Sequence, residues 1–436
     1  MKLSRYVVWA KESSGDYLAA CTLTKAIIRL NNQAKKDLEG GNINECLELT
    51  KEQFQECAEM GFLVPVELDE KNYLRYILDK DRLSPLALTT YVAFSMVCNF
   101  RCSYCYEVGQ VKGQTMNENI IESLVKWYKY KLENGHFEIY SVHLYGGEPL
   151  LFTPLIISLL SKLKEITTIL GVKLVVRLIT NGYLLTTDTV GKLFDFGLDE
   201  IHVTLDGTEE AHNKRRPLKK GGKTFNVVFR NLLNVALLDL PLDIVCRISF
   251  DRSNVNNIPK LLEQIRQKDK TGKIDPYFGS ITQTISQITI PESFCSQYVL
   301  EDEEVAENVL FLYKKAKEKG FSIPDFFTLG PCMVVAEDAR VIAPDGLVYK
   351  CLDMIGREDL AIGDIFSNKP RPINYDFMAG IQLESCLNTD CSFVPVCGGG
   401  CVMEAYLKKK SHKELICHRQ MLEKIYRDFL PLQFSN

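Results

Sequence analysis

From about residue 90 to residue 290 the chain swings between strand-like and helix-like stretches with short connections, and few architectures accept that rhythm. Alternation of β-branched and apolar residues predicts strands at Tyr91–Val97, Ile139–Leu144, Val172–Ile179, Glu200–Leu205 and Leu242–Phe250. A period near 3.6 predicts helices between them, at Asn117–Leu132, Pro154–Ile169, Thr186–Phe196, Phe225–Leu237 and Asn257–Lys268. Repeated βα units make a parallel sheet with helices outside. Right-handed crossovers then gather every strand-to-helix loop on one rim, where ligands bind. The chemistry-bearing residues fall on those loops: Cys98 to Cys105, Gly146-Gly147-Glu148-Pro149, Thr180-Asn181-Gly182 and Asp206-Gly207.

The chain has 436 residues, 46% hydrophobic and 25% charged, which is enough for two or three globular domains. A net charge of -4 argues against a general nucleic-acid binder. The start, Met1-Lys-Leu-Ser-Arg-Tyr, is not a signal core, and no apolar run reaches the roughly 20 residues a membrane helix needs. Asp239 and Asp243 break the longest candidate. The expectation is a cytoplasmic protein without a membrane partner.

Fifteen cysteines are many for such a compartment, where disulfides are rare, so they read as metal or redox ligands. Cys98, Cys102 and Cys105 form a C-x3-C-x2-C run directly after a predicted strand. Three thiolates on one tight loop can hold three irons of a [4Fe–4S] cube and leave the fourth open to a small molecule. A zinc site is the alternative; it wants a fourth Cys or His, and His136 and His143 both lie beyond the loop. The last quarter is cysteine-rich too. Cys332 is followed by Gly346-x4-Cys351, then Cys386-x4-Cys391-x5-Cys397-x3-Cys401, then Cys417. Zinc held by Cys386, Cys391, Cys397 and Cys401 is the competing reading of that run.

With His143-Leu-Tyr-Gly146-Gly147-Glu148-Pro149, the first cysteine run resembles the radical S-adenosylmethionine (SAM) enzymes. That resemblance implies a partial (β/α)6 barrel of α/β class. It also implies reductive cleavage of SAM to a 5′-deoxyadenosyl radical, driven by an external donor of flavodoxin or ferredoxin type. Residue by residue, it implies a SAM site of Tyr104 near the adenine, Gly146, Gly147 and Glu148 at the methionyl amine, Thr180, Asn181, Thr204 and Asp206 at ribose and methionyl groups, and Arg247 at the carboxylate. The segment His212-Asn-Lys-Arg-Arg216-Pro resembles the peptide-modifying branch.

The tail resembles the SPASM extension, which implies two further [4Fe–4S] clusters and three in all. Cys386, Cys391, Cys397 and Cys417 would ligate the outer one, and Cys332, Cys351 and Cys401 the inner one. The usual first pair of that extension is Cys-x2-Cys, whereas Cys386-x4-Cys391 stands here. The fourth inner ligand is left as Cys295, a substrate thiolate or an open iron. Ahead of the barrel, two strands flank Ser13-Ser-Gly-Asp16 as a hairpin, with Ala26–Leu30 as a third strand and a Thr50/Gln53 capping box opening a helix. This resembles a winged-helix-like leader-recognition element. The expected domains are therefore 1–88 leader-binding, 89–325 radical SAM core and 326–436 SPASM. The expected reaction is cross-linking of a ribosomally made precursor peptide, thioether first and carbon–carbon next. A sulfatase-type maturase forming formylglycine and a non-catalytic iron–sulfur electron carrier are the alternatives.

Overall fold

The computed structural model describes residues 1–41, 49–83, 86–105, 114–281, 299–324, 332–367 and 369–434. The chain begins with β1 (Lys2–Leu3), the antiparallel strands β2 (Val7–Lys11), β3 (Tyr17–Cys21) and β4 (Ile27–Leu30), and helices α1 (Asn32–Glu39) and α2 (Lys51–Glu59). Thr50 and Gln53 close the expected capping box at the start of α2. Strand β5 (Leu63–Val64) pairs back on β1, and α3 (Glu70–Leu83) leads into the barrel. Ala19, Cys21, Leu30, Leu38, Cys57 and Phe62 form a separate small core here.

The barrel alternates as expected: β6 (Ala87–Ala93), α4 (Glu118–Asn134), β7 (Ile139–Tyr145), α5 (Thr153–Leu170), β8 (Lys173–Thr180), α6 (Thr187–Phe194), β9 (Leu198–Thr204), α7 (Glu209–Arg215), α8 (Phe225–Ala236), β10 (Asp243–Phe250), α9 (Ile258–Lys268) and β11 (Ile274–Ser280). Strands β6 to β11 lie side by side in sequence order, all parallel, so six βα units curve into a partial barrel. The sequence pattern had not marked β11, whose Pro276 and Gly279 blur the apolar alternation.

Two boundaries differ from expectation. Strand β6 ends at Ala93 rather than Val97, because the carbonyls of Ser95 and Val97 accept from the N–H groups of Gly147 and Glu148 instead of continuing the ladder. The strand also begins at Ala87, so the expected boundary between residues 88 and 89 falls inside β6. Helix α10 (Asp302–Glu318) follows, then β12 (Ala339–Ile342), β13 (Leu347–Tyr349) and β14 (Gly363–Asp364). Strand β12 pairs in parallel with β6, so the tail extends the barrel sheet to nine strands. Short helices α11 (Pro372–Met378), α12 (Ile381–Leu387), α13 (Val394–Cys397) and α14 (Val402–Lys409) precede the closing α15 (Arg419–Phe434), which packs on α10 and β2. No helix among the described residues is long and apolar enough to cross a membrane.

Candidate active site

One pocket opens at the carboxyl ends of the barrel strands. Cys98, Cys102, Tyr104 and Cys105 line it from the loop after β6, and Tyr145, Gly146 and Gly147 from the end of β7. Ile179 and Thr180 come from β8 and Asn181 from just beyond it, Thr204 from β9, Arg216 from just beyond α7, and Arg247 and Ser249 from β10. The tertiary fold thus brings residues spread over about 150 positions to one rim, as parallel βα topology dictates.

The double glycine seats the cysteine loop. A Cβ on Gly146 would lie 2.3 Å from the Ser95 carbonyl oxygen, and one on Gly147 would lie 2.5 Å from that of Val97. Gly146 also has φ +128°, a conformation side chains avoid. The expectation had given these glycines to a ligand amine; the close approach they permit is to the chain's own backbone, although both also face the pocket.

Glu148 is fully buried and is not on the pocket wall. Its carboxylate accepts from Thr180 Oγ1 at 2.7 Å, Asn181 N at 2.8 Å and Leu150 N at 3.1 Å. Burial pushes its pKa up, and those three donors oppose the rise. Asn181 in turn donates from Nδ2 to Asn99 Oδ1 at 2.8 Å and stands 3.6 Å from Cys98 Sγ. One chain of contacts therefore links the ends of β7 and β8 to the first cysteine. Asp206 is likewise buried and off the wall; it accepts from Arg215 Nε at 3.2 Å, and Arg215 also donates to Asp251. The next residue, Arg216, donates to the Tyr104 hydroxyl at 2.6 Å. Glu148 and Asp206 hold the site rather than line it.

The residues suit an iron–sulfur cluster and an amino-acid cofactor. Three thiols supply soft ligands for iron. Thr180, Asn181, Thr204 and Ser249 offer hydrogen bonds, and Arg216 and Arg247 offer cations for a carboxylate. On the wall, Arg216 Nε is buried without a hydrogen-bond partner among the described residues, and behind it Asp206 Oδ1, His212 Nε2 and Arg215 Nη2 are likewise unpartnered among them. Such atoms are costly unless something else satisfies them. The sequence reading had passed over Tyr145, Ile179, Arg216 and Ser249 as wall residues, and Asn99 and Arg215 as supports. Only Ser249 carried a readable signal, lying two residues beyond Arg247 and so on the same strand face.

Below the pocket a polar row crosses the sheet: Tyr91, His143, Arg177 and Glu200 occupy paired positions on β6 to β9. His143 stacks on Tyr91 at 4.1 Å, and burial lowers its pKa to about 4. His202 Nε2 lies 2.7 Å from Glu200 Oε1. The two stand two residues apart on β9 and so share one face of the strand.

The tail thiols sort into two sets. Cys386, Cys391, Cys397 and Cys417 line one small cavity with Phe393, Val394 and Leu422. Cys332, Cys351 and Cys401 are electrostatic neighbours of one another. Cys295 lies outside the described residues. Among the described residues no three Cys, His, Asp or Glu side chains converge closely enough to hold a single metal ion.

Comparison with known proteins agrees with this geometry. Residues 92–248 match the family model described as "Radical SAM superfamily". The PqqA peptide cyclase of Bradyrhizobium diazoefficiens is 24% identical over 71% of this chain and 80% of its own length. A "Probable GTP 3′,8-cyclase" of Sulfurisphaera tokodaii is 36% identical over 27% of this chain, and the match spans about a third (34%) of that relative. Among solved structures, native anSMEcpe with bound AdoMet superposes with a TM-score of 0.61 at 20% identity, covering 79% of this chain and 98% of that one. SuiB of Streptococcus suis, bound to S-adenosylmethionine, gives 0.56 at 13% identity and covers 96% of this chain and 100% of its own. A non-catalytic electron carrier is set aside by these matches. Residues 92–248 match the radical SAM domain, and the solved structures share the fold of the chain around it.

Proposed function

We propose that this enzyme is a radical SAM maturase of a ribosomally made peptide, with SAM and three [4Fe–4S] clusters as cofactors. The observation that carries the reading is the pocket in which Cys98, Cys102 and Cys105 face Thr180, Asn181, Thr204, Arg216 and Arg247 across successive strand ends. When bound there, the cluster and SAM supply hydrogen-atom abstraction from carbon. In this reading the chain's own residues do the placing. The three thiols fix the cluster, Arg247 and Arg216 take the carboxylate, Thr180 and Thr204 take hydroxyls, and Glu148 keeps Thr180 and Asn181 in register.

The two groups of tail thiols support two auxiliary clusters, Cys386, Cys391, Cys397 and Cys417 on the outer and Cys332, Cys351 and Cys401 on the inner. Three inner thiols leave room for a substrate thiolate, which favours a thioether product over a carbon–carbon link. The front sheet supports a leader-binding role for residues 1–88. Its β2 side packs against α15, while β4 has no further strand beside it among the described residues, so a leader strand would add there. PqqA peptide cyclase and the structure of SuiB bound to precursor peptide SuiA add to the case for a peptide substrate.

Anaerobic reconstitution followed by iron analysis and SAM cleavage tests the proposal. About twelve irons per chain are expected, and about four would remove the tail clusters. Coexpression with a cysteine-containing precursor should give a product 2 Da lighter; a product carrying formylglycine would replace cross-linking with the sulfatase-type reaction.

A further inference from the structure

The first cysteine loop is paired, backbone to backbone, with a cationic ribbon. Arg101 N donates to Pro217 O at 2.9 Å, Ser103 N to Arg215 O at 2.9 Å, and Lys219 N to Asn99 O at 2.7 Å, with Phe100 bridging Leu218. Two buried arginines anchor this ribbon, Arg215 on Asp206 and Asp251 and Arg216 on Tyr104. Outward it presents exposed cations: Lys214, Lys219, Lys220 and Lys223, with Arg101 from the cysteine loop itself. None of the five has an ion-pair partner among the described residues. The sequence contains no Asp or Glu from Ala211 to Leu238, although the chain as a whole carries a net charge of -4. A local positive field thus stands beside the thiols on an otherwise acidic molecule. Glu209 and Glu210 bound it on the far side, in a cleft shared with Ser103, Lys214 and Lys260.

We infer that this ribbon is the docking surface for the reductant, a small acidic one-electron carrier protein of flavodoxin type. The inference rests on the proposed function, because it assumes a cluster at Cys98, Cys102 and Cys105. Two features select that partner over a solvated charge run. Among the described residues the cations are unneutralised, so they attract an acidic surface and steer its approach. The ribbon that carries them is also hydrogen-bonded, backbone to backbone, to the loop that carries the ligands, so a protein docked on it would lie beside that loop. In the transfer one electron leaves the carrier, which is oxidised by one equivalent, and reduces the cluster by one; no bond forms or breaks and no proton moves.

The test uses the reconstituted full chain and a fluorescently labelled flavodoxin. Wild-type chain should bind it with an affinity that falls steeply with salt. The triple variant Lys219→Glu/Lys220→Glu/Lys223→Glu should bind at least about tenfold more weakly, and the triple Lys→Gln variant should fall between the two. Flavodoxin-driven SAM cleavage should drop in the same order, while dithionite-driven cleavage stays at the wild-type rate. Unchanged flavodoxin binding in the Glu variant overturns the docking surface, as does a parallel loss of dithionite-driven cleavage. So does a variant that binds flavodoxin normally but loses the precursor peptide. Absence of dithionite-driven cleavage in the wild-type chain would instead overturn the radical SAM reading itself, so the two failures are separable.

Discussion

Glu148 shows how one side chain organises a pocket it does not line. Its carboxylate only accepts, and all three of its partners are donors. Glu148→Gln sets an amide NH2 against the Asn181 or Thr180 donor and leaves a buried group unpaired, at about 1–3 kcal/mol. SAM affinity, measured by calorimetric titration, should fall by roughly tenfold or more, while Glu148→Asp should recover less than half of the loss. His143 makes a prediction about pH. It is 7% exposed, and its pKa is lowered from 6.5 to about 4 by burial first and by Arg177 second. Below pH 6.5 the unfolded chain binds a proton that the folded chain refuses, so this contribution is intact above about 6.5 and is lost as pH falls toward 4. Its ceiling is about 3 kcal/mol. Denaturation midpoints of wild type and His143→Gln should therefore converge between pH 7 and pH 5, and a constant gap would show that His143 does not titrate in this way.

Among the structural elements, the loop after β6 and the end of β7 form one unit, because backbone meets backbone where Gly146 and Gly147 stand. Gly147→Ala places a methyl against Val97 O and C, neither of which is a side chain that can swing aside. The loop must move, and the thiols move with it. The variant should keep its far-UV circular dichroism but lose about four of its irons on reconstitution, with SAM cleavage falling by at least about 100-fold; full iron content would show that the loop tolerates the shift. The same unit explains why the strand expected over Tyr91–Val97 stops at Ala93. Strand propensity continues to Val97, yet the carbonyls of Ser95 and Val97 are claimed by β7's glycine turn. A propensity reading sees only the local residues, not the partner that competes for their backbone groups.

At the scale of the whole molecule, the front module and the tail are not independent. Tyr6, Leu74 and Leu78 pack with Leu387 and Val394, in contact with Cys386 and Cys391. Arg5 adds contacts to Thr389 O and Asp390, and Thr22 to Ser392 O. Removing residues 1–83 should therefore reach beyond the leader binding proposed for this module. It uncovers the cavity of Cys386, Cys391, Cys397 and Cys417, so iron content should fall by about four per chain and dithionite-driven SAM cleavage should persist. Retention of all iron in the truncated chain would make the two modules separable.

The alternation of strands and helices, the capped helices and the placement of cysteines on rim loops were legible in the sequence, because each depends on residues near one another in the chain. The division of the tail thiols between two cluster sites was an expectation drawn from resemblance rather than from spacing. Tertiary structure alone decided the rest. It buried Glu148 and Asp206 behind the pocket wall and added Arg216 to that wall. It also joined β12 to β6 across more than 240 residues. Those outcomes turn on which groups are buried together, and burial is a property of the packed chain that no local window contains.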